Sequence, residues 1–372
     1  MRRVSRLLPF LLAAVAAACA ESGTLEPRPD AILASSTRGA RQITVMSRNM
    51  YVGANVDPVL DALLTGGNVQ AAFAAALAEF QRTDYATRIR GIADEIARNR
   101  PYVIGLQEAY NLDVIPAALG LPGDPFSLNF PGDLQAALAA RGLNYVVAGI
   151  STLTDATLGG GAVHLVDHDM LLIDPAHVTL GAGGFWKTFE HNLLDPPFPI
   201  QPPPIAVLRG YIVQPALVEG IPTLLVNSHT EAGNKPGLDM LRYAQAAELA
   251  IVTSSAPNVI LMGDLNDIPG SLLYGVLAGA GLTDVWAAMR PGVAGFSCCM
   301  LPDLSNRLPT LDQRIDYVWT RGFAGPSGKP QGQVTLTSDN PSGLLAGAFG
   351  SVWPSDHVGL VATLLLPASM LH

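Results

Sequence analysis

The decapeptide NVILMGDLND, Asn258–Asp267, joins four apolar side chains to a glycine and then delivers Asp264, Asn266 and Asp267 within four positions. Its β-rich apolar run reads as a buried strand. A carboxylate at the end of such a strand sits at its carboxyl end, where ligand sites in α/β sheets lie. In extended backbone Asp264 and Asn266 point to one side. One acid and one amide on one side suit a water molecule, the acid to take its proton and the amide to orient it. The chain is 49% hydrophobic and only 14% charged, so such a concentration of polar groups stands out.

The pattern recurs at other strand ends. VIGLQE ends in Glu108, TVMSRN in Asn49 and LLVNSH in His229. RIDYV places Asp316 opposite Ile315 and Tyr317, and WPSDH sets Asp356 and His357 before the last strand. Each alone has a structural explanation as a turn residue, a cap or a hydrogen-bonded histidine. Six such ends in one chain point to a shared site.

Around these ends the chain alternates short β-rich runs with helical ones, which predicts an α/β fold. The strand candidates are QITVMSRN, YVIGLQE, NYVVAG, DMLLID, VLRGYIVQPALV, PTLLVNSH, NVILMGD, RIDYVWT and VGLVATLLL. Asp84–Asn99 is predicted helical, capped by Asp84, with Ile89, Ile92, Ala93 and Ile96 on one face and Pro101 stopping it. Gly237–Ser254 and Ser271–Ala280 read similarly, and alanine-rich Val56–Gln81 is predicted helical in part. The neighbouring runs Val207–Val218 and Pro222–Ser228 read as a hairpin, so part of the sheet is antiparallel. No internal repeat is present. DPPFPIQPPP, Asp195–Pro204, has six prolines in ten residues and can form neither helix nor central strand. With Phe185, Trp186 and Phe189 before it, it reads as a stiff surface connection or as an apolar lip beside a site.

The N-terminus reads as an export signal. Arg2, Arg3 and Arg6 precede twelve mostly apolar residues, Leu7–Ala18, too short to span a bilayer as a helix. AAAC resembles a bacterial lipoprotein signal in which Cys19 is lipidated, which would give membrane association. Ala16 stands where a large aliphatic residue is usual, and cleavage after Ala20 is the other route. Residues 1–19 are read as the signal, 20–40 as a flexible tether, 41–366 as the folded domain and 367–372 as a tail. Without residues 1–19, 19 basic residues face 31 acidic ones, a net charge of −12. Such a balance does not favour non-specific nucleic-acid binding, although a few local cations can serve a nuclease. Cys298 and Cys299 are adjacent, and across a trans peptide their α-carbons lie about 3.8 Å apart, closer than the usual disulfide span of about 4.4–6.8 Å, so a bond between them would be strained. They are read as two small buried hydrophobes.

Asn49, Glu108 in LQE, His229, GDLN, RIDYV and SDH, in that order, resemble the endonuclease/exonuclease/phosphatase superfamily over roughly residues 41–366. The resemblance implies a four-layer α/β/β/α sandwich of two packed mixed sheets and a metal-dependent phosphoric ester hydrolase. By similarity Glu108 would bind a divalent metal, with Asn49 and Asp356 close by; oxygen ligands suit Mg²⁺ or Mn²⁺. Asp264 would contact the attacking water and Asn266 orient it. Asp316 would pair with His357, His229 would contact the phosphate, and Arg209 matches a position that often holds a phosphate-facing arginine. The base is left open between Asp264 and His357. Two departures stand out: Arg48 precedes the first asparagine where many members have an aromatic residue, and no helper acid is evident between LQE and His229, Asp167 and Asp169 being the candidates. FSCCMLPDLSNRLPTLDQRIDYVW resembles a branch of exported bacterial members. The expected substrate is a phosphate ester, with a lipid-type or small diester favoured and an extracellular nuclease as the alternative. No obligate protein partner is implied. A binding lipoprotein that kept the fold is the non-catalytic alternative, which the intact residue set argues against.

Overall fold

The computed structural model describes residues 41–193, 207–367 and 370. The export signal with Cys19, the tether, most of the C-terminal tail and the proline-rich Asp195–Pro204 lie outside the described residues.

The first half of the described chain carries β1 (Gln42–Asn49), α1 (Asp57–Thr65), α2 (Val69–Arg82), α3 (Tyr85–Asn99), β2 (Val103–Gln107), β3 (Asn111–Val114), β4 (Phe126–Asn129) and α4 (Phe130–Ala139). Next come β5 (Val146–Ile150), β6 (Thr154–Leu158), β7 (Val163–Asp167), β8 (Met170–Ile173), β9 (Val178–Leu180) and β10 (Phe185–Thr188). β11 (Gly210–Val218), β12 (Ile221–His229), α5 (Leu238–Thr253), β13 (Val259–Asp264), α6 (Leu272–Gly279), β14 (Thr283–Asp284), α7 (Val285–Met289) and β15 (Asp316–Arg321) follow. β16 (Gly332–Thr337), β17 (Leu345–Gly347), β18 (Gly350–Val352) and β19 (Gly359–Leu365) complete the order.

Six strands form one sheet in the order β16-β19-β1-β2-β8-β5, and a second runs β10-β11-β12-β13-β15-β14 with β9 also on β11. β1 with β2 and β12 with β13 are parallel, while the other pairs in these sheets are antiparallel. The two sheets face each other across a core of Ile43, Val45, Val103, Ile212, Leu225, Ile260, Met262 and Val318. Helices α3 and α4 cover the outer face of the first sheet through Ile89, Ile92, Ile96, Leu134 and Leu138. Helices α5 and α6 cover the second through Ala246, Leu249, Leu273 and Leu277. This is the four-layer sandwich that the resemblance implies. All nine strand candidates form strands. Asp84 caps α3 by accepting Thr87 N–H (3.2 Å) and Ser271 caps α6 by accepting Tyr274 N–H (3.2 Å).

Strand alternation decides where the polar ends point. In β13 Val259 and Leu261 face α5 and α6, whereas Ile260 and Met262 face the opposite sheet, so Asp264 also faces inward. The same parity carries Ile43 and Val45 to Asn49, and Leu225 to Asn227 and His229. The glycine of NVILMGD has a steric cause: a Cβ on Gly263 would lie 2.1 Å from Ser228 O on β12. Behind the site the sheets are tied by Asn227. It donates to Leu106 O (2.8 Å) and Met170 O (2.9 Å) and accepts from Gln107 Nε2 (2.6 Å). A Cβ on Gly105 would lie 2.5 Å from its Oδ1. No signal in the sequence singled out Asn227.

A four-stranded sheet, β4-β3-β7-β6, escaped the sequence analysis. Its strands are short and their burial is mixed, so no strong period marks them. Helices α1 and α2 pack on this sheet through Val59, Phe73, Leu112, Val114 and Val163. The cysteine reading is corrected: the Cys298–Cys299 peptide is cis and the two sulfurs are joined as a vicinal disulfide. The aromatic cluster before the proline-rich segment also divides. Phe185 and Trp186 are exposed, while Phe189 is buried against Tyr211. Among the described residues no helix is long and apolar enough to cross a membrane.

Candidate active site

Register brings the motif residues into one row. His229 pairs with Asp264 across the parallel β12–β13 ladder, and Asp264 pairs with Asp316 across β13–β15. From the opposite sheet Asn49 ends β1 beside Gln107, so Glu108 emerges next to it. His357 arrives from the loop before β19. Arg48 Nη1 donates to His357 O (2.5 Å) and Ser355 Oγ accepts His357 N–H (3.1 Å), fixing that loop.

Asp264 is the hub, 1% exposed. Its Oδ1 accepts Asn266 N–H (3.0 Å) and its Oδ2 accepts Asn49 Nδ2 (3.0 Å). The Nε2 atoms of His229 and His357 each lie 3.7 Å from the same Oδ2. His357 Nδ1 is 2.8 Å from Asp316 Oδ2. His229 Nδ1 is 3.0 Å from Arg209 Nη1. Arginine can only donate, so His229 accepts at Nδ1 and, when neutral, carries its proton on Nε2, toward Asp264.

The two histidines are electrostatically distinct. Burial lowers the pKa of His229 well below the usual value, and Arg209 and His357 push the same way. Burial also opposes charge on His357, but Asp316, Asp264 and Asp356 outweigh it and raise its pKa well above the usual value. Burial, reinforced by Asp316, pushes Asp264 up to about 7 despite His357 and Asn49. The site thus combines a neutral imidazole, an imidazolium and a carboxyl poised near neutrality.

Glu108 and Asp356 converge beside this hub. Burial raises both; Asp356 raises Glu108 further, while His357 holds both down. Glu108 Oε1 accepts Asn49 Nδ2 (2.9 Å) and Oε2 accepts Val52 N–H (3.3 Å). Two half-buried oxygen donors, one of which disfavours charge on the other, fit a hard divalent cation. Asn49 Oδ1 accepts Tyr51 N–H (2.9 Å), so the amide presents its nitrogen to the carboxylates. Tyr51, Glu108 and Asn266 all take left-handed backbone, with φ of 60°, 57° and 48°, the kind of sparsely populated conformation that gathers at functional sites.

One expectation changes here. Asn266 does not continue the extended strand: the chain turns at its positive φ, and its Nδ2 donates to Thr230 O (3.1 Å). Its backbone N–H, rather than a side chain parallel to that of Asp264, makes the link between the two residues. His168 is structural, with Nδ1 2.6 Å from Ser151 O and Nε2 3.1 Å from Asn111 Nδ2. Its neighbours both reach the site, Asp169 Oδ1 at 4.0 Å from His229 Nδ1 and Asp167 Oδ2 at 3.8 Å from Arg209 Nη1. Glu231 lies 4.0 Å from Arg209 Nε. The sequence analysis passed over it, although it stands two residues after His229.

Burial pushes Asp167 up to about 7, against the pull of Arg209. Since this folded value exceeds the unfolded one, the resulting stability is complete below about pH 4 and is lost as pH rises toward 7. Metal-free protein is expected to lose about 2 kcal/mol of this contribution between pH 5 and 6.5, at about 1.4 kcal/mol per pH unit. Thermal melts of wild type and Asp167→Asn across that range test it: the variant's slope should be shallower, and parallel slopes would refute the expectation.

The model of the Endonuclease/Exonuclease/phosphatase family matches residues 68–357. The chain belongs to this family. Its members are metal-dependent hydrolases of phosphoric esters, and this chain is such a hydrolase. An endonuclease/exonuclease/phosphatase from Beutenbergia cavernae DSM 12333 is similar in structure, with a TM-score of 0.56, 19% identity, and 88% of this chain and 72% of that one covered. A Bacteroides thetaiotaomicron VPI-5482 mannosyl-6-phosphatase gives a TM-score of 0.53 at 16% identity, covering 87% of this chain and 100% of that one. D. rerio TDP2, in complex with a single-strand DNA product, gives 0.50 at 17% identity, covering 87% and 98%. At such identities these likenesses speak to the shared fold. No curated protein matches the chain in sequence.

Proposed function

We propose that this family member is an exported, divalent-metal-dependent phosphodiesterase that cleaves a P–O bond by in-line attack of water. The observation that carries this reading is Asp264 Oδ2 held between the Nε2 atoms of His229 and His357, 3.7 Å from each, beside Glu108 and Asp356. Asp264 takes the proton of the attacking water. His357, kept as an imidazolium by its three carboxylate neighbours, has no lone pair to serve as base and donates from Nε2 to a phosphoryl or leaving oxygen. His229 donates from its Nε2–H to a second phosphoryl oxygen. Arg209 holds His229 in that tautomer and adds positive charge. Mg²⁺ or Mn²⁺, held by Glu108 and Asp356, supplies charge neutralisation at the phosphoryl group when bound.

The charge balance favours a diester over a monoester. Arg209 and His357, with Arg88 beside Asp356, are the cations here, and they face Glu108, Asp356, Asp264, Asp316 and Glu231. A singly charged diester costs less to bring here than a doubly charged monoester. Export rests on residues 1–19, and membrane association on lipidation of Cys19.

Hydrolysis of an aryl phosphodiester and its matching monoester by the full chain, with Mg²⁺, Mn²⁺ or EDTA, tests the reading. Metal-dependent diester cleavage abolished by EDTA is expected, whereas a preference for the monoester would overturn the assignment. Calorimetric titration with Mn²⁺ adds a readout independent of turnover. Loss of an outer-shell partner weakens metal binding by about 10–100-fold, so Glu108→Gln, which removes a ligand, should weaken it by about 100-fold or more. Unchanged affinity would remove Glu108 from the metal site.

A further inference from the structure

A cavity of about 470 Å³ opens beside the catalytic hub, between helices α1 and α2 and the β4-β3-β7-β6 sheet. Small-molecule sites span roughly 300–1,000 Å³, whereas packing defects in protein interiors seldom exceed one water. Its walls are aliphatic and aromatic. Leu77, Phe80, Leu119, Phe126 and Leu165 line it and remain only partly buried, with the Phe80 and Phe126 rings stacked at 5.7 Å.

Polar lining groups fall into two sets. Arg209, Asp167 and Glu231, with Tyr110, belong to the surroundings of His229, so the cavity and the hub share a border. Asp57, Asp61, Asn234 and Lys235 form the other set, in which the exposed pair Lys235 Nζ–Asp61 Oδ1, 3.9 Å apart, marks a solvent-facing rim. Apart from these sets, Thr154 is the one polar side chain among the described residues that line the cavity, and its hydroxyl accepts Leu208 N–H (3.4 Å). A sugar or a nucleobase needs hydrogen-bonding walls, which these are not. A hydrocarbon chain needs only apolar contact and displaces water that the walls hold weakly.

We propose that this cavity receives the hydrocarbon tail of an amphiphilic, single-chain phosphodiester whose phosphate lies at His229 and Asp264. The proposal rests on the phosphodiesterase reading and names its substrate class. Each buried methylene is worth about a 4-fold gain in binding. Along a series of p-nitrophenyl alkyl phosphodiesters from methyl to octyl, below their micellar concentrations, kcat/KM is therefore expected to rise by about 100-fold or more. Ala76→Trp, which fills the cavity from α2, should abolish that rise and leave methyl-ester turnover unchanged. Leu77→Asn should reduce the rise in the same way, guarding against a local effect of the tryptophan. Calorimetry with dodecylphosphocholine in EDTA, against the methyl diester of phosphocholine, reads the cavity without turnover: at least 10-fold tighter binding of the long-chain compound, lost in Ala76→Trp, is expected. Rates independent of chain length, or equal binding of the two compounds, would overturn the tail site while leaving the phosphodiesterase reading intact. No turnover of any diester, with alkyl-dependent binding retained, would overturn the phosphodiesterase reading instead.

Discussion

His357→Ala is expected to lower turnover by about 10²–10⁴-fold, the size of a positioned acid–base group or transition-state donor, with KM changed much less. The imidazole is held at both ends: Asp316 Oδ2 stands 2.8 Å from Nδ1, and Arg48 grips the backbone carbonyl. Its Nε2 is thus aimed at the space beside Asp264. Burial disfavours its charge, yet three carboxylates together raise its pKa well above the usual value, so the proton is in place at neutral pH and is donated as charge builds on oxygen. An interaction made chiefly in the transition state shows as a fall in kcat, whereas uniform binding shows in KM. Asp316→Asn gives the companion result: with the largest of the favourable carboxylate interactions gone, the alkaline limb of the pH–rate profile should move to lower pH. A His357→Ala enzyme within twofold of wild type would remove His357 from the mechanism.

Glu95→Ala is expected to destabilise the fold by about 3–5 kcal/mol, the cost of leaving a buried charge without its partner. Arg48 and Glu95 are fully buried; Arg48 Nε lies 3.1 Å from Glu95 Oε2, and Ser338 Oγ hydrogen-bonds to Glu95 Oε1. The pair spans α3 and β1, and Arg48 continues to the carbonyl of His357. Loss of Glu95 therefore strands a guanidinium between the helix layer and the sheet. The joint replacement Arg48→Met with Glu95→Leu, which leaves no unpaired charge, should cost markedly less. Denaturant unfolding of the three proteins checks both statements. A Glu95→Ala loss below about 1 kcal/mol would falsify the claim that the pair is structurally coupled, as would a double variant no better than the single one. Arg48 takes on meaning here: this chain uses a cation to anchor both α3 and the loop that carries His357.

The alternation of short β-rich runs with helical periods, the caps Asp84 and Ser271, and the six polar strand ends are local properties, and they were legible in the sequence. Strand parity alone sends Asp264 to the side of Ile260 and Met262, and parallel neighbours bring carboxyl ends together, so residues far apart in sequence meet at one site. Other features depend on what surrounds a side chain, and order along the chain does not encode that. Two histidines of one chemical type differ in charge because Arg209 and His357 surround one and Asp316, Asp264 and Asp356 the other. The turn at Asn266, with φ of 48°, replaced an extended reading because the strand ends at Asp264. The disulfide between Cys298 and Cys299 joins two residues read as separate. The short strands that wall the cavity carry no strong period and are held by pairing with one another and by packing on α1 and α2. Local pattern therefore determined the fold class and which polar side chains stand at the strand ends. Only the tertiary structure decided their protonation, their mutual aim and the apolar space beside them, because each of these arises from burial and from charges brought close by folding.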